Sequence, residues 1–200
     1  MKGTVYILVN GILTFPGDAK NWNERGEDWI NINVNNSCGV ALEYFTGPLL
    51  SRVIGQRYRA KRLIEKIIRY TQFNIILVGH SNGADVIRDA LSIMQWPKIV
   101  SRICLFSAAI DSDMIKNGFD SSLAKGNIKE MKIFVAGNDK ALAIGGSIGK
   151  LFGYGKLGLE GPKNLSEEAK LRTIVYTEPD FGHSDWFNGD NFVQSMIRML

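Results

Sequence analysis

Cysteine is almost missing from this chain of 200 residues, with only Cys38 and Cys104 present. Two thiols cannot build a disulfide framework, and no cysteine–histidine cluster has zinc-ligand spacing. Cys104 lies inside Ile103-Cys104-Leu105-Phe106, where it reads as a small buried hydrophobe. Proline is scarce at 5, and the 45% hydrophobic content excludes a disordered chain. No apolar run approaches the ~20 residues needed to span a bilayer. The start, Met1-Lys2-Gly3-Thr4-Val5-Tyr6, lacks an apolar stretch followed by a small-residue cleavage site. A cytoplasmic protein without stable membrane insertion is therefore expected. The net charge of +4 permits an anionic partner without requiring one. Histidine is as rare as cysteine, at two residues, His80 and His183.

Glycine, in contrast, is plentiful at 21 residues, which suits many tight strand-to-helix turns. Continuous apolar runs predict strands over Thr4–Val9, Cys38–Phe45, Phe73–Gly79, Ile99–Phe106, Met131–Ala136 and Arg172–Thr177. Helical spacing predicts helices from Leu49 to about Tyr70, from Asn82 to about Trp96 and over Asn191–Leu200. Unbroken apolar strands are covered on both faces, the habit of parallel sheets. Residues 1–200 therefore read as one α/β domain, a mostly parallel sheet of about six strands with helices on both faces. The Trp-containing segment from Thr14 to Asn36 reads as irregular, and Gly145–Gly161 as an insertion. Both, over 14–36 and 140–163, are candidates to cover a site at the strand ends, or simply to pack on the core.

One turn carries chemistry. Gly79-His80-Ser81-Asn82-Gly83 follows the strand Asn74–Val78 and opens a helix at Ala84. A serine on so sharp a turn projects its Oγ from the sheet edge, above a helix N-terminus that favours negative charge. The arrangement resembles the nucleophile elbow of the α/β-hydrolase superfamily in its lipase/esterase form, with His before Ser. The resemblance implies a small α/β-hydrolase fold and a serine esterase with Ser81 as nucleophile.

A serine hydroxyl needs a base within hydrogen-bond reach. His80 shares the turn with Ser81 and points elsewhere as a packing or support residue, leaving His183, in the loop before the last helix where the superfamily keeps its histidine. The family acid usually follows the penultimate strand, which selects Asp139, with Asp111 and Asp113 as rivals one strand earlier. Asp185 is too near His183 in sequence to orient it and reads as a turn cap. For the oxyanion hole, the resemblance implies the Asn82 amide and a second amide at Val9-Asn10-Gly11-Ile12. Ile12 would be the donor and Gly11 the residue allowing close approach; Asn10 departs from the histidine many relatives carry.

No metal or organic cofactor is implied. The substrate would be a small-molecule or lipid acyl ester, with thioesters and amides as alternatives. A non-catalytic binding module of the same fold is the competing reading. Arg52, Arg59, Arg62, Lys66 and Arg69 share one face of the Leu49–Tyr70 helix, which predicts a solvated outer face rather than nucleic-acid binding. Oligomeric state is not readable from the sequence.

Overall fold

The computed structural model describes residues 2–11, 21–42, 44, 50–96, 100–148 and 155–200. Six strands form one parallel sheet: β1 (Thr4–Val9), β2 (Ser37–Leu42), β3 (Asn74–His80), β4 (Val100–Phe106), β5 (Glu130–Ala136) and β6 (Thr173–Glu178). Their order is β2-β1-β3-β4-β5-β6, every neighbouring pair parallel. The helices are α1 (Trp22–Asn33), α2 (Leu50–Arg69), α3 (Gly83–Ile93), α4 (Phe119–Ala124), α5 (Lys140–Ile148), α6 (Leu157–Glu160), α7 (Glu167–Lys170) and α8 (Asn191–Met199).

The period of two along each strand sorts the core into two layers. Val5, Ile7, Ile75, Leu77, Ile103, Leu105 and Ile133 pack with α2, α3 and α4 on one face. Tyr6, Leu8, Ile76, Val78, Phe106 and Phe134 pack with Trp22 and Ile30 of α1, Trp186, and Met196 and Met199 of α8 on the other. Because side chains of both faces are buried, the central strands read as unbroken apolar runs.

The strand expected over Cys38–Phe45 ends at Leu42. The segment read as irregular holds a twelve-residue helix, α1. Its pattern was hard to see because buried Asn23 and Gly26 occupy core-facing positions normally apolar. The helix lies tightly on edge strand β2, whose outward amides it closes: Gly39 N–H donates to Asn31 Oδ1 at 2.9 Å and Ala41 N–H to Glu27 Oε2 at 3.0 Å.

The basic face of α2 also needs correction. Arg59 is 2% exposed rather than solvated, with its guanidinium 5.7 Å from the Tyr44 ring centroid. Arg62 and Arg69 are exposed and Lys66 is half-buried, whereas the Arg52 side chain lies outside the described residues.

Chain order reverses direction at one place in the sheet. From β1 the chain steps to β2 on one side, then to β3 on the other. The connections leaving β1 and β3 run to helices on opposite faces of the sheet, α1 and α3, and it is at such a switch point that an α/β sheet forms a crevice at its carboxyl edge. Asn10-Gly11 leaves β1 there, and Ser81 leaves β3 beside it.

Candidate active site

Ser81 occupies a left-handed backbone conformation, φ 54°. For a residue with a Cβ this costs of order 1–3 kcal/mol, so the surroundings must enforce it. They do so through three backbone bonds. Ser81 N–H donates to Phe106 O at 3.0 Å, and Ser81 O accepts from Ala84 N–H at 3.2 Å and Ala109 N–H at 3.1 Å. The turn closes so tightly on β1 that a Cβ at Gly83 would stand 2.2 Å from Val9 O. Gly11 is the other contact: a Cβ there would stand 2.9 Å from Ser81 Cβ and 3.4 Å from Ser81 Oγ. Only hydrogen at both positions lets β1 and the Ser81 turn approach this closely.

Across the crevice, the loop after β6 carries His183. Its Nδ1 lies 2.7 Å from Asp139 Oδ2. Asp139 follows β5, and its side chain is fully buried while that of His183 is 23% exposed. The other carboxylate oxygen, Oδ1, accepts from Leu142 N–H at 2.8 Å, so the acid is anchored by the first turn of α5. A carboxylate can only accept, so Nδ1 of His183 carries the proton and Nε2 is left as the basic nitrogen. Neither rival acid reaches this position. Asp111 Oδ1 accepts from Asp113 N–H, and Asp113 accepts from Ile115, Lys116 and Asn164 in its own loop. Asp185 Oδ2 accepts from Gly182 N–H at 2.7 Å and caps its own turn.

His80 connects the two halves. Its Nε2 is 2.9 Å from His183 O, and since a carbonyl accepts, Nε2 holds the proton. The ring is packed edge-on against Trp22 and Phe187, with centroids at 6.1 and 5.2 Å. Burial, helped by the neighbouring His183, lowers its pKa to about 3, so it stays neutral. The sequence suggested a support role for His80 without its partner, because residues a hundred positions apart meet only in the fold.

The β1 loop is held by a polar hub that sequence reading missed. Buried Asn10 accepts at Oδ1 from Trp22 Nε1 (2.7 Å) and Gly11 N–H (2.9 Å), and donates to Asn23 Oδ1 at 3.3 Å. Its carbonyl accepts from the Tyr44 hydroxyl. Burial pushes the Tyr44 phenol above its ordinary pKa, opposed by Arg59, so it remains a donor. The asparagine departing from the family pattern was the one available signal. Because Gly11 N–H is turned onto Asn10, it is not the amide that faces outward. Ile12, the expected donor, lies outside the described residues. Asn82 N–H has no acceptor among the described residues.

The flanking segments behave differently. Trp22 is buried and stacks on Phe187 with centroids 4.3 Å apart, and residues 14–20 of that segment lie outside the described residues. Of the segment after Asp139, Leu142 is buried and Ile144 is 62% exposed. Residues 149–154 lie outside the described residues. No described helix is long and apolar enough to cross a membrane, and no group of three or more His, Cys, Asp or Glu among the described residues could hold a metal ion.

Residues 56–194 match the model of a family described as alpha/beta hydrolase of unknown function (DUF900). Among solved structures, the chain is similar to a hydrolase described as YdeN-like from Pectobacterium atrosepticum. That alignment has 12% identity and a TM-score of 0.58, and covers 98% of this chain and 89% of that one. A carboxyl esterase of metagenomic origin aligns with 12% identity and a TM-score of 0.58, over 99% of this chain and 75% of that one. A hydrolase described as CIB-like from Thermoplasma acidophilum gives 12% identity and a TM-score of 0.56, over 98% and 84%. At this identity the likeness concerns the fold. No curated protein matches the sequence.

Proposed function

The chain belongs to the DUF900 family of α/β hydrolases, and on that footing we propose that it is a serine hydrolase cleaving carboxylic esters through an acyl-enzyme on Ser81. The observation that carries the reading is the fully buried Asp139 carboxylate on Nδ1 of His183, in the loop that His80 ties back to the Ser81 turn. It gives a base of defined tautomer, and the loop that carries it is tied to the turn that holds Ser81 in its left-handed conformation.

In this reaction Ser81 Oγ attacks the acyl carbonyl while His183 Nε2 takes its proton. The carbonyl electrons move onto oxygen, which the amides of Asn82 and Ile12 stabilise, each donor being worth roughly 3–4 kcal/mol. Collapse of the tetrahedral adduct breaks the bond to the alcohol, which leaves with the proton from His183. Water, deprotonated by the same nitrogen, then releases the acid and restores Ser81. Asp139 holds the imidazole in place and balances its transient positive charge. Thioesters and amides would follow the same path with a different leaving group. The carboxyl esterase of similar fold supports the choice of esters.

A fluorophosphonate probe tests the reading. Wild type is expected to label at Ser81, and Ser81→Ala and His183→Ala to lose both labelling and p-nitrophenyl ester turnover while remaining folded. A wild type that refuses the probe would move the protein to a non-catalytic binding module of this fold. Turnover surviving either substitution would remove that residue from the mechanism.

A further inference from the structure

The sheet's two edges are treated differently. At β2 the outward amides of Gly39 and Ala41 are taken by Asn31 and Glu27 of α1. At β6 nothing comparable exists among the described residues. Arg172 O accepts from Met131 N–H, and Glu178 O from Gly137 N–H, so the even-numbered residues of β6 face β5. Alternation turns the N–H and C=O groups of Thr173, Val175 and Thr177 outward. The side chains around them are exposed and apolar: Leu171 89%, Ile174 42% and Val175 43%. An open edge of β-branched residues is a template for another strand.

The sequence of this edge is complementary to itself. A second β6 laid antiparallel, with Val175 opposite Val175, pairs Thr173 with Thr177 and uses all three outward residues in about six backbone hydrogen bonds. The same register sets Arg172 opposite Glu178, on one face, twice per pair. Arg172 is exposed and has no ion-pair partner among the described residues. Glu178 Oε1 is held by Arg198 at 2.6 Å, and its Oε2 is unengaged among the described residues. Opposed side chains in such a pair stand ~4.5–5.5 Å apart at Cβ, within reach of an arginine fork.

We infer that β6 is a self-association edge, joining two copies of this chain about a two-fold axis at Val175 into one continuous sheet. A symmetric, closed interface of this kind ends at the dimer and consumes the open edge. The Ser81 turn follows β3, three strands in from that edge, and takes no part in the pairing.

Sedimentation or light scattering on the full chain tests this. At about 100 μM the mass is expected to be twice 22.3 kDa. Val175→Lys, which sets two ammonium groups on the axis at an exposed position, is expected to give a monomer with unchanged far-UV circular dichroism. Arg172→Glu is expected to raise the dissociation constant roughly tenfold, because two attractive pairs become repulsive, while Arg172→Lys stays near wild type. A monomeric wild type would overturn the inference, as would a dimer indifferent to Val175→Lys.

Discussion

Replacing Asp139 by Asn probes how the proposed base is set, and the structure allows the cost to be worked through. The carboxylate has two tasks: Oδ2 meets His183 Nδ1 at 2.7 Å and Oδ1 accepts from Leu142 N–H at 2.8 Å. An amide has only one accepting atom. If Asn keeps its oxygen on Leu142 N–H, its NH₂ faces Nδ1, which must then accept, and the imidazole proton shifts to Nε2. That tautomer cannot take a proton from Ser81. Restoring the working tautomer means flipping the amide and leaving Leu142 N–H against an NH₂, a penalty of about 1–3 kcal/mol for a buried donor. The charge-assisted bond is lost as well, at about 1.5–3 kcal/mol. The two together give about 2.5–6 kcal/mol, or a fall in kcat of roughly 10²–10⁴ at 1.36 kcal/mol per decade. Initial rates on p-nitrophenyl butyrate would measure it, with KM expected near wild type because Asp139 is fully buried and touches no substrate. Asp111→Asn and Asp113→Asn serve as controls expected to keep wild-type rates. Retention of more than a tenth of kcat in Asp139→Asn would refute the role assigned to the carboxylate.

Two further perturbations address the surroundings of Ser81. His80 has a folded pKa of about 3, below its ordinary 6.5, so the stability it contributes is complete above pH 6.5 and drains as pH falls toward 3. Between pH 7 and pH 5 this group should remove about 2 kcal/mol. His80→Gln, which can still donate to His183 O, should escape that loss in urea titrations, and parallel losses in the two proteins would contradict the assignment. Gly11→Ala would set a methyl 2.9 Å from Ser81 Cβ. Activity should fall at least about tenfold while the melting temperature moves by only a few degrees, and an unchanged kcat would show that the β1 loop does not constrain Ser81.

The parts of the molecule legible in the sequence were those written in local pattern. The β1, β3, β4 and β5 runs are apolar on both faces, and the glycines about Ser81 fall in a row. Elements lacking such a pattern were harder to see. Helix α1 turns Asn23 and Gly26 into the interior and puts Ile32 out at 81% exposure, which blurs its apolar stripe. Arg59 looks like surface charge in one dimension, yet it is buried against Tyr44 from the end of another element. The Asn10 hub and the bond from His80 to His183 depend on partners 12, 13, 34 and 103 positions away, and no spacing rule encodes those distances.

The anchoring of Asn10 has a consequence for how such a scaffold can diversify. Its side chain and carbonyl are held by Trp22, Asn23 and Tyr44, and none of these belongs to residues 12–20. The position of Gly11 against Ser81 is therefore secured from α1 and from the residue two places beyond β2. An exchange at Trp22, Asn23 or Tyr44 alone would strand a buried polar group against Asn10, so these positions are bound to change together. Residues distant from Ser81 in sequence thus bear on its turn through one asparagine.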